Sequence, residues 1–361
     1  MRPVHFACSP RPTYHRDSSS GRVRDGRGLI EVVLIILVPC LLVAIFCLCD
    51  AEVRRGLLSK PPGVPLRLMN PITGAVRVDG ERAMTVHQHG QMRLWDFSQS
   101  AELGEMQCQI PEVSCIAYAE QSRLLAVGSK LGQLEIWNLD HPQAPEVIEH
   151  AAPGQIHDCQ FTPDGQTLLT ATVNGQISVW DPQKLTRRAT WQSPTTVGAI
   201  RCLAVSSDGQ FVLAGTFLGV VQVWSLQSGQ LLRSHAVSLA PRPGHADAAA
   251  ISAVTLIPGD REFIAATQYQ GVSVWNVQTG APVRQLEGVP HWLKNAALSP
   301  DGRRLTAGMV DGEVITWDIV TGRRTGAALR HPTSVTSLLY STDGKTLLTG
   351  DSHGQVLYHR D

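Results

Sequence analysis

The stretch SPDGRRLTAGMVDGEVITWD, which runs from Ser299 to Asp318, contains two Asp-Gly pairs and ends in Trp-Asp. Asp-Gly between short apolar runs is a strong sequence signal for a β-hairpin, because glycine accepts the positive φ that a tight turn requires. The first pair ends one strand, a second strand runs from Arg304 to Gly308, and a third ends in Trp317-Asp318. The stretch therefore predicts three short antiparallel strands joined by two tight turns.

The same unit occurs seven times along the chain with nearly the same internal spacing. The first-turn residues are Gly80, Ser122, Gly165, Gly209, Asp260, Gly302 and Gly344. Ten residues after each stands a second-turn residue, and these are Gly90, Gly132, Gly175, Gly219, Gln270, Gly312 and Gly354. Five residues later stands an anchor, and the anchors are Trp95, Trp137, Trp180, Trp224, Trp275, Trp317 and His359. This pattern predicts hairpins of fixed length joined by loops of variable length, as in a repeat architecture.

The repeats resemble those of the WD-repeat family in their period and in the Trp-Asp ending, which is kept at Trp95-Asp96, Trp180-Asp181 and Trp317-Asp318. The resemblance covers residues 63–361, roughly. It implies an all-β fold, a seven-bladed β-propeller with four strands in each blade. It also implies a role in binding other proteins rather than in catalysis.

The last repeat has room for only three strands before Asp361. In the family that the chain resembles, a strand from the N-terminal side completes the last blade and closes the ring. An open blade edge would also promote aggregation. We expect Val64–Met69, VPLRLM, to be the closing strand, because it precedes the first repeat and belongs to no complete one.

The family often stabilises its blades with a polar network of a histidine, a serine or threonine, an aspartate at the second turn and the tryptophan. This chain has the turn aspartate only at Asp311, and a histidine in the expected register only at His331, in the repeat that lacks the tryptophan. We therefore expect the network to be largely missing and the stability to come from packing.

The N-terminal region differs from the repeats in composition. Residues 1–28 carry six Arg and two Asp without periodicity, which predicts a basic disordered tail. Residues 29–49 include an uncharged run from Val32 to Cys49, about 27 Å long as an α-helix, which roughly matches the hydrocarbon core of a bilayer. We expect one transmembrane α-helix at 29–49, a linker at 50–63 and the propeller at 64–361.

Two alternatives to a membrane anchor remain open. The first is a cleaved signal peptide, although no small-residue cleavage pattern follows Cys49. The second is a leader resembling that of type IV pilins, cut after Gly26, which would make the protein a pilus-linked surface component. Basic residues on the two sides of the helix differ by one, which slightly favours an extracytoplasmic propeller and leaves a cytoplasmic one open.

Charge and motif content argue against several functional classes. The formal net charge is +0 and no basic patch dominates the repeats, so we expect no nucleic-acid partner. The chain has no zinc-type Cys/His spacing, no Gly-x-Ser-x-Gly and no phosphate loop, so we expect no catalytic residue, no cofactor and no metal. His87 and His89 are expected in a solvated turn, and three repeat cysteines are expected in the core: Cys115, Cys159 and Cys202.

The inner strands are expected to present their first residues to a central channel. The upper channel positions are Thr73, Cys115, Asp158, Cys202, Ala253, Asn295 and Ser337. They include one Asp, which is too few carboxylates to bind a metal ion. The preceding positions in six repeats are mostly polar and are expected to surround the channel mouth. We predict a partner-binding rim composed of His157, Asp158, Arg201, Trp292, Lys294 and Asn295.

Trp292 is the most informative rim residue, because the other repeats carry smaller or polar residues at its position. We expect it to be partly exposed, and an exposed Trp beside cations is typical of an interface hot spot. The alternative, that its ring folds onto its own loop, stays open. The long connection from His235 to Ala250 is either a recognition loop or a tolerated insertion.

Together these features predict a membrane-anchored, non-catalytic WD-repeat scaffold. It would bind unidentified proteins on the propeller rim and the lipid bilayer through residues 29–49. The alternative function is a propeller enzyme or small-ligand sensor that uses the channel mouth.

Overall fold

The computed structural model describes residues 70–142, 144–194, 198–237, 250–288 and 292–360, all within the compact unit Arg67–Asp361. These residues form seven antiparallel sheets, six with four strands and one with three. They contain no helix. The sheets are the blades of a seven-bladed β-propeller, as the sequence predicted, and are numbered here in chain order.

The strands of each blade follow one another from the centre of the ring outward. The inner strands are β1 (Ile72–Arg77), β5 (Val113–Ala119), β9 (Ile156–Phe161), β13 (Ile200–Val205), β17 (Ile251–Leu256), β21 (Leu293–Leu298) and β25 (Val335–Tyr340). The second strands are β2 (Arg82–His87), β6 (Leu124–Ser129), β10 (Leu168–Thr172), β14 (Phe211–Thr216), β18 (Glu262–Thr267), β22 (Arg304–Met309) and β26 (Thr346–Asp351). The third strands are β3 (Gln91–Asp96), β7 (Leu134–Asn138), β11 (Gln176–Asp181), β15 (Val220–Ser225), β19 (Gly271–Asn276), β23 (Glu313–Asp318) and β27 (Val356–Arg360). The outer strands are β4 (Ala101–Gln107), β8 (Glu146–Ile148), β12 (Thr186–Gln192), β16 (Leu231–Ala236), β20 (Pro282–Gln285) and β24 (Arg324–Arg330).

The ring closes where blade 1 meets blade 7. Inner strand β1 packs against β5 on one side and against β25 on the other. Across this junction Thr342 Oγ1 donates a hydrogen bond to the Gly80 carbonyl at 2.9 Å, and the Arg360 guanidinium donates to the Ser98 carbonyl at 2.7 Å. Two parts of the chain that are 262 residues apart are therefore held together.

Blade 7 has three strands among the described residues, β25, β26 and β27. The stretch Val64–Met69, predicted to supply its fourth strand, lies outside those residues. Most of the connection between His235 and Ala250 lies outside them as well. The closing strand and the role of that connection stay predictions.

Tight turns fix the blade geometry, and the second turns require glycine for two reasons. Gly312 has φ +90, and a Cβ built there would lie 2.2 Å from the His331 carbonyl oxygen. The adjacent chain approaches too closely for any side chain.

In blade 5 the predicted turn residue was wrong by one position, because Gly271, not Gln270, adopts the left-handed conformation, with φ 99.

The apolar core lies mainly between neighbouring blades. In blade 3 the inner-strand residues Ile156, Cys159 and Phe161 are buried there. Cys159, Cys115 and Cys202 are buried, as expected. Trp191 at the end of β12 is a core residue, and its ring stacks on the anchor Trp224 with centroids 6.0 Å apart.

The expectation that the polar network is largely missing needs a correction in blade 7. His331 is buried there, with Nδ1 3.3 Å from Asp351 Oδ2 and Nε2 2.6 Å from Thr349 Oγ1. The same hydroxyl lies 2.8 Å from His359 Nε2, so His359 replaces the tryptophan. The acid was missed because the turn position holds His353, whereas Asp351 at the end of β26 supplies the carboxylate.

This network predicts that stability depends on pH. Burial and the charge of His331 lower the pKa of His359, so the folded protein holds fewer protons on this residue than the unfolded chain does. The free energy of unfolding should therefore fall as pH drops from about 7 through the ordinary histidine pKa of about 6.5. His359→Trp should reduce this slope, since an indole can donate to Thr349 without titrating.

Urea unfolding at several pH values between 5 and 8, of the wild type and of His359→Trp, measures this effect. His157, whose pKa is also lowered, titrates in both proteins and cancels in the comparison. Equal slopes for the two proteins would contradict the proposed contribution of His359.

Within the residues that the structure describes, no helix is long and apolar enough to cross a membrane. The predicted transmembrane helix at 29–49 lies outside the described residues, as do the predicted tail at 1–28 and the linker at 50–63.

Candidate binding site at the channel mouth

Every inner strand carries a β-bulge at its entrance to the ring, where one residue is skipped in the pairing with the second strand. The bulge residues are Thr73, Ser114, His157, Arg201, Ser252, Lys294 and Thr336. A bulge changes the direction of a side chain and interrupts the ladder. All seven side chains line one cavity of about 610 Å³ at this end of the channel, which we call the channel mouth.

The bulges also correct the alignment of the first repeat. Thr73 was predicted as the equivalent of the channel residue Cys115, but in the pairing it matches the rim residue Ser114. Pro71 in turn matches Glu112, because the carbonyl of each accepts a hydrogen bond from the backbone N–H of the residue after the second strand. The first repeat is offset by one residue because its first turn is longer, and Gly80 does not adopt a positive φ.

The short bulge side chains form hydrogen bonds with backbone carbonyls of the propeller. Ser114 Oγ donates to the Ile156 carbonyl of the next blade at 2.6 Å, and Ser252 Oγ donates to the Leu293 carbonyl at 2.9 Å. Thr73 and Thr336 lie within 3.3 Å of carbonyls in their own blades. These hydroxyls therefore bond to neighbouring strands of the propeller rather than present free groups to a ligand.

Asp158 and Asn295, two predicted site residues, also join neighbouring blades. Asp158 Oδ2 accepts the Leu203 N–H at 2.7 Å, and its Oδ1 accepts the Cys159 N–H. Burial raises the pKa of Asp158 to about 7, although these bonds oppose the shift. Asn295 Nδ2 donates to the Thr336 carbonyl at 3.1 Å. Both residues line the cavity, but their first role is structural.

The three long bulge side chains, His157, Arg201 and Lys294, are the basic residues of the mouth. Burial lowers the pKa of His157 and of Lys294, and the charge of Arg201 lowers both further. The guanidinium carbon of Arg201 lies 5.9 Å from the ring centroid of Phe217, which orients it without neutralising it. The mouth therefore holds positive charges that act on one another.

Trp292 lies on the same side of the ring but not in the cavity wall. It is 49% exposed, as predicted, and has φ 77, an unusual backbone conformation for a large side chain. Its ring meets Tyr269 edge to face with centroids 5.6 Å apart. Two further exposed apolar residues, Leu131 and Leu218, lie at the second turns of blades 2 and 4 on this side.

Sequence reasoning missed Tyr269, Leu131 and Leu218 as parts of this surface. They occupy the second-turn position at which these three repeats lack the aspartate of the family. Their apolar character at solvent-facing turns was the available signal.

The described residues contain no group of three or more His, Cys, Asp or Glu side chains arranged to hold a metal ion. His87 was expected in a solvated turn, but it is buried at the end of β2, with Nδ1 2.8 Å from the Asn70 carbonyl oxygen. His89 is exposed. The alternative of a propeller enzyme thus receives no support from these two histidines.

Comparison with a family model identifies three of the repeats directly. The model described as "WD domain, G-beta repeat" matches residues 146–181, 188–225 and 325–358. Each matched stretch starts in an outer strand and ends in the third strand of the next blade. The third match includes the repeat in which His359 replaces the tryptophan.

Three known proteins with similar sequences are 22–24% identical to this chain over the aligned residues. Periodic tryptophan protein 2 of Arabidopsis thaliana is 24% identical over 280 residues, 72% of this chain and 30% of the relative. Human apoptotic protease-activating factor 1 is 23% identical, over 68% of this chain and 22% of its own length. The guanine nucleotide-binding protein subunit beta of Solanum tuberosum is 22% identical over 74% of each chain. This chain thus spans a third or less of the first two relatives.

Proposed function

We propose that this chain, which carries WD40 repeats in a seven-bladed β-propeller, is a membrane-anchored, non-catalytic scaffold that binds partner proteins on the face around the channel mouth. The observation that carries the proposal is the combination, on one face, of exposed Trp292, which packs on half-buried Tyr269, with the cationic mouth. Aromatic and arginine side chains dominate the binding energy of protein interfaces.

The non-catalytic part of the proposal rests on the chemistry of the mouth. Its one channel carboxylate, Asp158, already accepts two backbone N–H groups, and the bulge hydroxyls donate to backbone carbonyls. Groups engaged in the scaffold are poor candidates for a nucleophile or a general base. The potato relative is named as a subunit, which agrees with a role in an assembly.

The membrane part rests on the apolar sequence at 29–49 alone. We propose that this segment anchors the protein in a single pass with the propeller on the extracytoplasmic side. Protease treatment of intact and of permeabilised cells tests the orientation. Digestion of the propeller in intact cells supports the proposal, and protection that is lost on permeabilisation contradicts it. N-terminal sequencing that starts at Arg27 would favour the pilin-like leader instead.

Affinity capture from solubilised membranes tests the binding face. We expect Trp292→Ala to lose the partners that the wild type retains, because an exposed aromatic hot spot contributes about 2 kcal/mol or more, roughly thirtyfold in affinity. Leu232→Ala is a matched control, since Leu232 is also 49% exposed but lies on outer strand β16. Identical partner sets for all three proteins would refute the proposed binding face.

A further inference from the structure

Three basic side chains at the mouth have no hydrogen-bond acceptor or carboxylate partner among the described residues. His157, Arg201 and Lys294 all project from bulges into the same cavity, and no ion pair or hydrogen bond involves their charged groups in the part of the chain that the structure describes. The short bulge residues between them all make such bonds. The long side chains are therefore available to a ligand.

The acidic residues near the mouth are already engaged. Glu112 binds Lys130 at 3.1 Å and accepts a hydrogen bond from Gln88 at 3.0 Å. Asp158 accepts backbone N–H groups of two inner strands. Neither carboxylate forms an ion pair with His157, Arg201 or Lys294 among the described residues.

The cavity is suited to an anionic group in size and in electrostatics. Its volume of about 610 Å³ falls within the range of ligand pockets, about 300–1,000 Å³. Arginine offers a planar fork of N–H donors that matches the oxygens of a carboxylate or a phosphate. A cleft lined by one sign of charge also concentrates ions of the opposite sign.

We propose that the channel mouth is an oxyanion-binding site in which Arg201, Lys294 and His157 hold a carboxylate or phosphate group on a side chain of the partner protein. This deepens the proposed scaffold function, on which it rests for the identity of the ligand as a protein. Trp292 and Tyr269 would flank the anionic side chain with apolar contact.

Calorimetric titration of the full chain in mild detergent tests the site. The probes are inorganic phosphate and two peptides of equal length, one with glutamate and one with phosphoserine at the central position. We expect the wild type to bind inorganic phosphate and at least one peptide in low-salt buffer, more weakly as salt is raised. Arg201→Gln should lower the affinity about tenfold or more, because it removes a charge-assisted donor.

The controls separate charge from folding. Arg233→Gln removes an arginine from outer strand β16 of the same blade and should leave the affinity unchanged. Arg201→Lys keeps the charge but loses the fork of donors, so its affinity should fall between those of the wild type and of Arg201→Gln. Lys294→Gln should also weaken binding. It therefore keeps the test decisive if circular dichroism shows that Arg201→Gln does not fold.

The two peptides distinguish the source of the anion. Preference for phosphoserine assigns a phosphorylated segment, and comparable binding of glutamate assigns an acidic one. Failure of the wild type to bind any probe, or wild-type affinity in both Arg201→Gln and Lys294→Gln, would overturn the proposal. The scaffold function would survive that result if Trp292→Ala still lost its partners.

Discussion

Replacing Trp317 by alanine should lower the free energy of unfolding by about 3–5 kcal/mol, the usual result for a fully buried tryptophan. Trp317 is 0% exposed and packs in the core cluster shared by blades 5 and 6, with Leu286, Leu293 and Ile319. Its indole N–H also donates to the Glu287 carbonyl at 2.8 Å. The substitution leaves a cavity that the rigid blades cannot fill, and it removes this bond.

Urea unfolding followed by circular dichroism measures the loss, and Trp292→Ala is the control. Trp292 belongs to the same region of the chain but is 49% exposed, so its removal should change the free energy of unfolding by about 1 kcal/mol or less. The pair thus separates an anchor from a binding residue. Equal destabilisation by the two substitutions would contradict the roles assigned to them.

Gly312→Ala should destabilise the protein by more than about 3 kcal/mol, because strain and steric overlap act together. An alanine with φ near +90 is strained, by roughly 1–3 kcal/mol. In addition, its Cβ would lie 2.2 Å from the His331 carbonyl oxygen and 2.9 Å from that of Thr333. Both oxygens belong to the backbone that enters blade 7, so neither can move without shifting the inner strand.

Gly326→Ala is the matched control for the strain alone. Gly326 also has a positive φ, 78, but a Cβ there would meet nothing within 4 Å. We expect this variant to lose only the strain energy, so the difference between the two variants measures the close approach of blades 6 and 7. A Gly312→Ala protein no less stable than Gly326→Ala would show that the blades are not packed as described.

The number of repeats was predictable from spacing alone, and the resemblance to the WD-repeat family implied that each repeat forms a blade. The turn glycines and tryptophans recur at fixed intervals, and hairpin geometry converts those intervals into strands without reference to the rest of the fold. The strands predicted around Asp311 and Gly312 are β22 and β23. The same equivalence holds in the outer strands, where Trp191 pairs with Ile177 in β11 as Ile148 pairs with Leu134 in β7.

The details of the mouth were less predictable, because bulges change register locally without a strong sequence signal. The rim residues were predicted as a set of polar side chains, yet side-chain length decides which of them bond to the backbone of the propeller and which stay available to a ligand. Serine reaches a neighbouring carbonyl, whereas arginine extends past it. Thr73 is offset by one residue because the first turn of its blade is longer. Counting residues back from Gly80 could not reveal this difference in turn length.

The blade 7 network was missed for a similar reason. The prediction required an aspartate at the turn position held by His353, whereas the carboxylate of Asp351 comes from two residues earlier in the chain and reaches His331 from the end of β26. A polar network is defined by where side-chain atoms meet, and several sequence positions can bring a carboxylate to the same point.

Closure of the ring is the central claim, since the mouth exists only if blades 1 and 7 meet. A cysteine pair at Gly80→Cys and Thr342→Cys tests it, because a Cβ at residue 80 would have Thr342 Oγ1, at 3.9 Å, as its nearest neighbour. Under mild oxidation we expect an intramolecular disulfide, detected by mass spectrometry as a reducible link between the two peptides. The pair Gly80→Cys and Ser207→Cys, three blades apart, should not form it. Absence of the 80–342 link, or a link formed only between molecules, would contradict the closed seven-bladed ring.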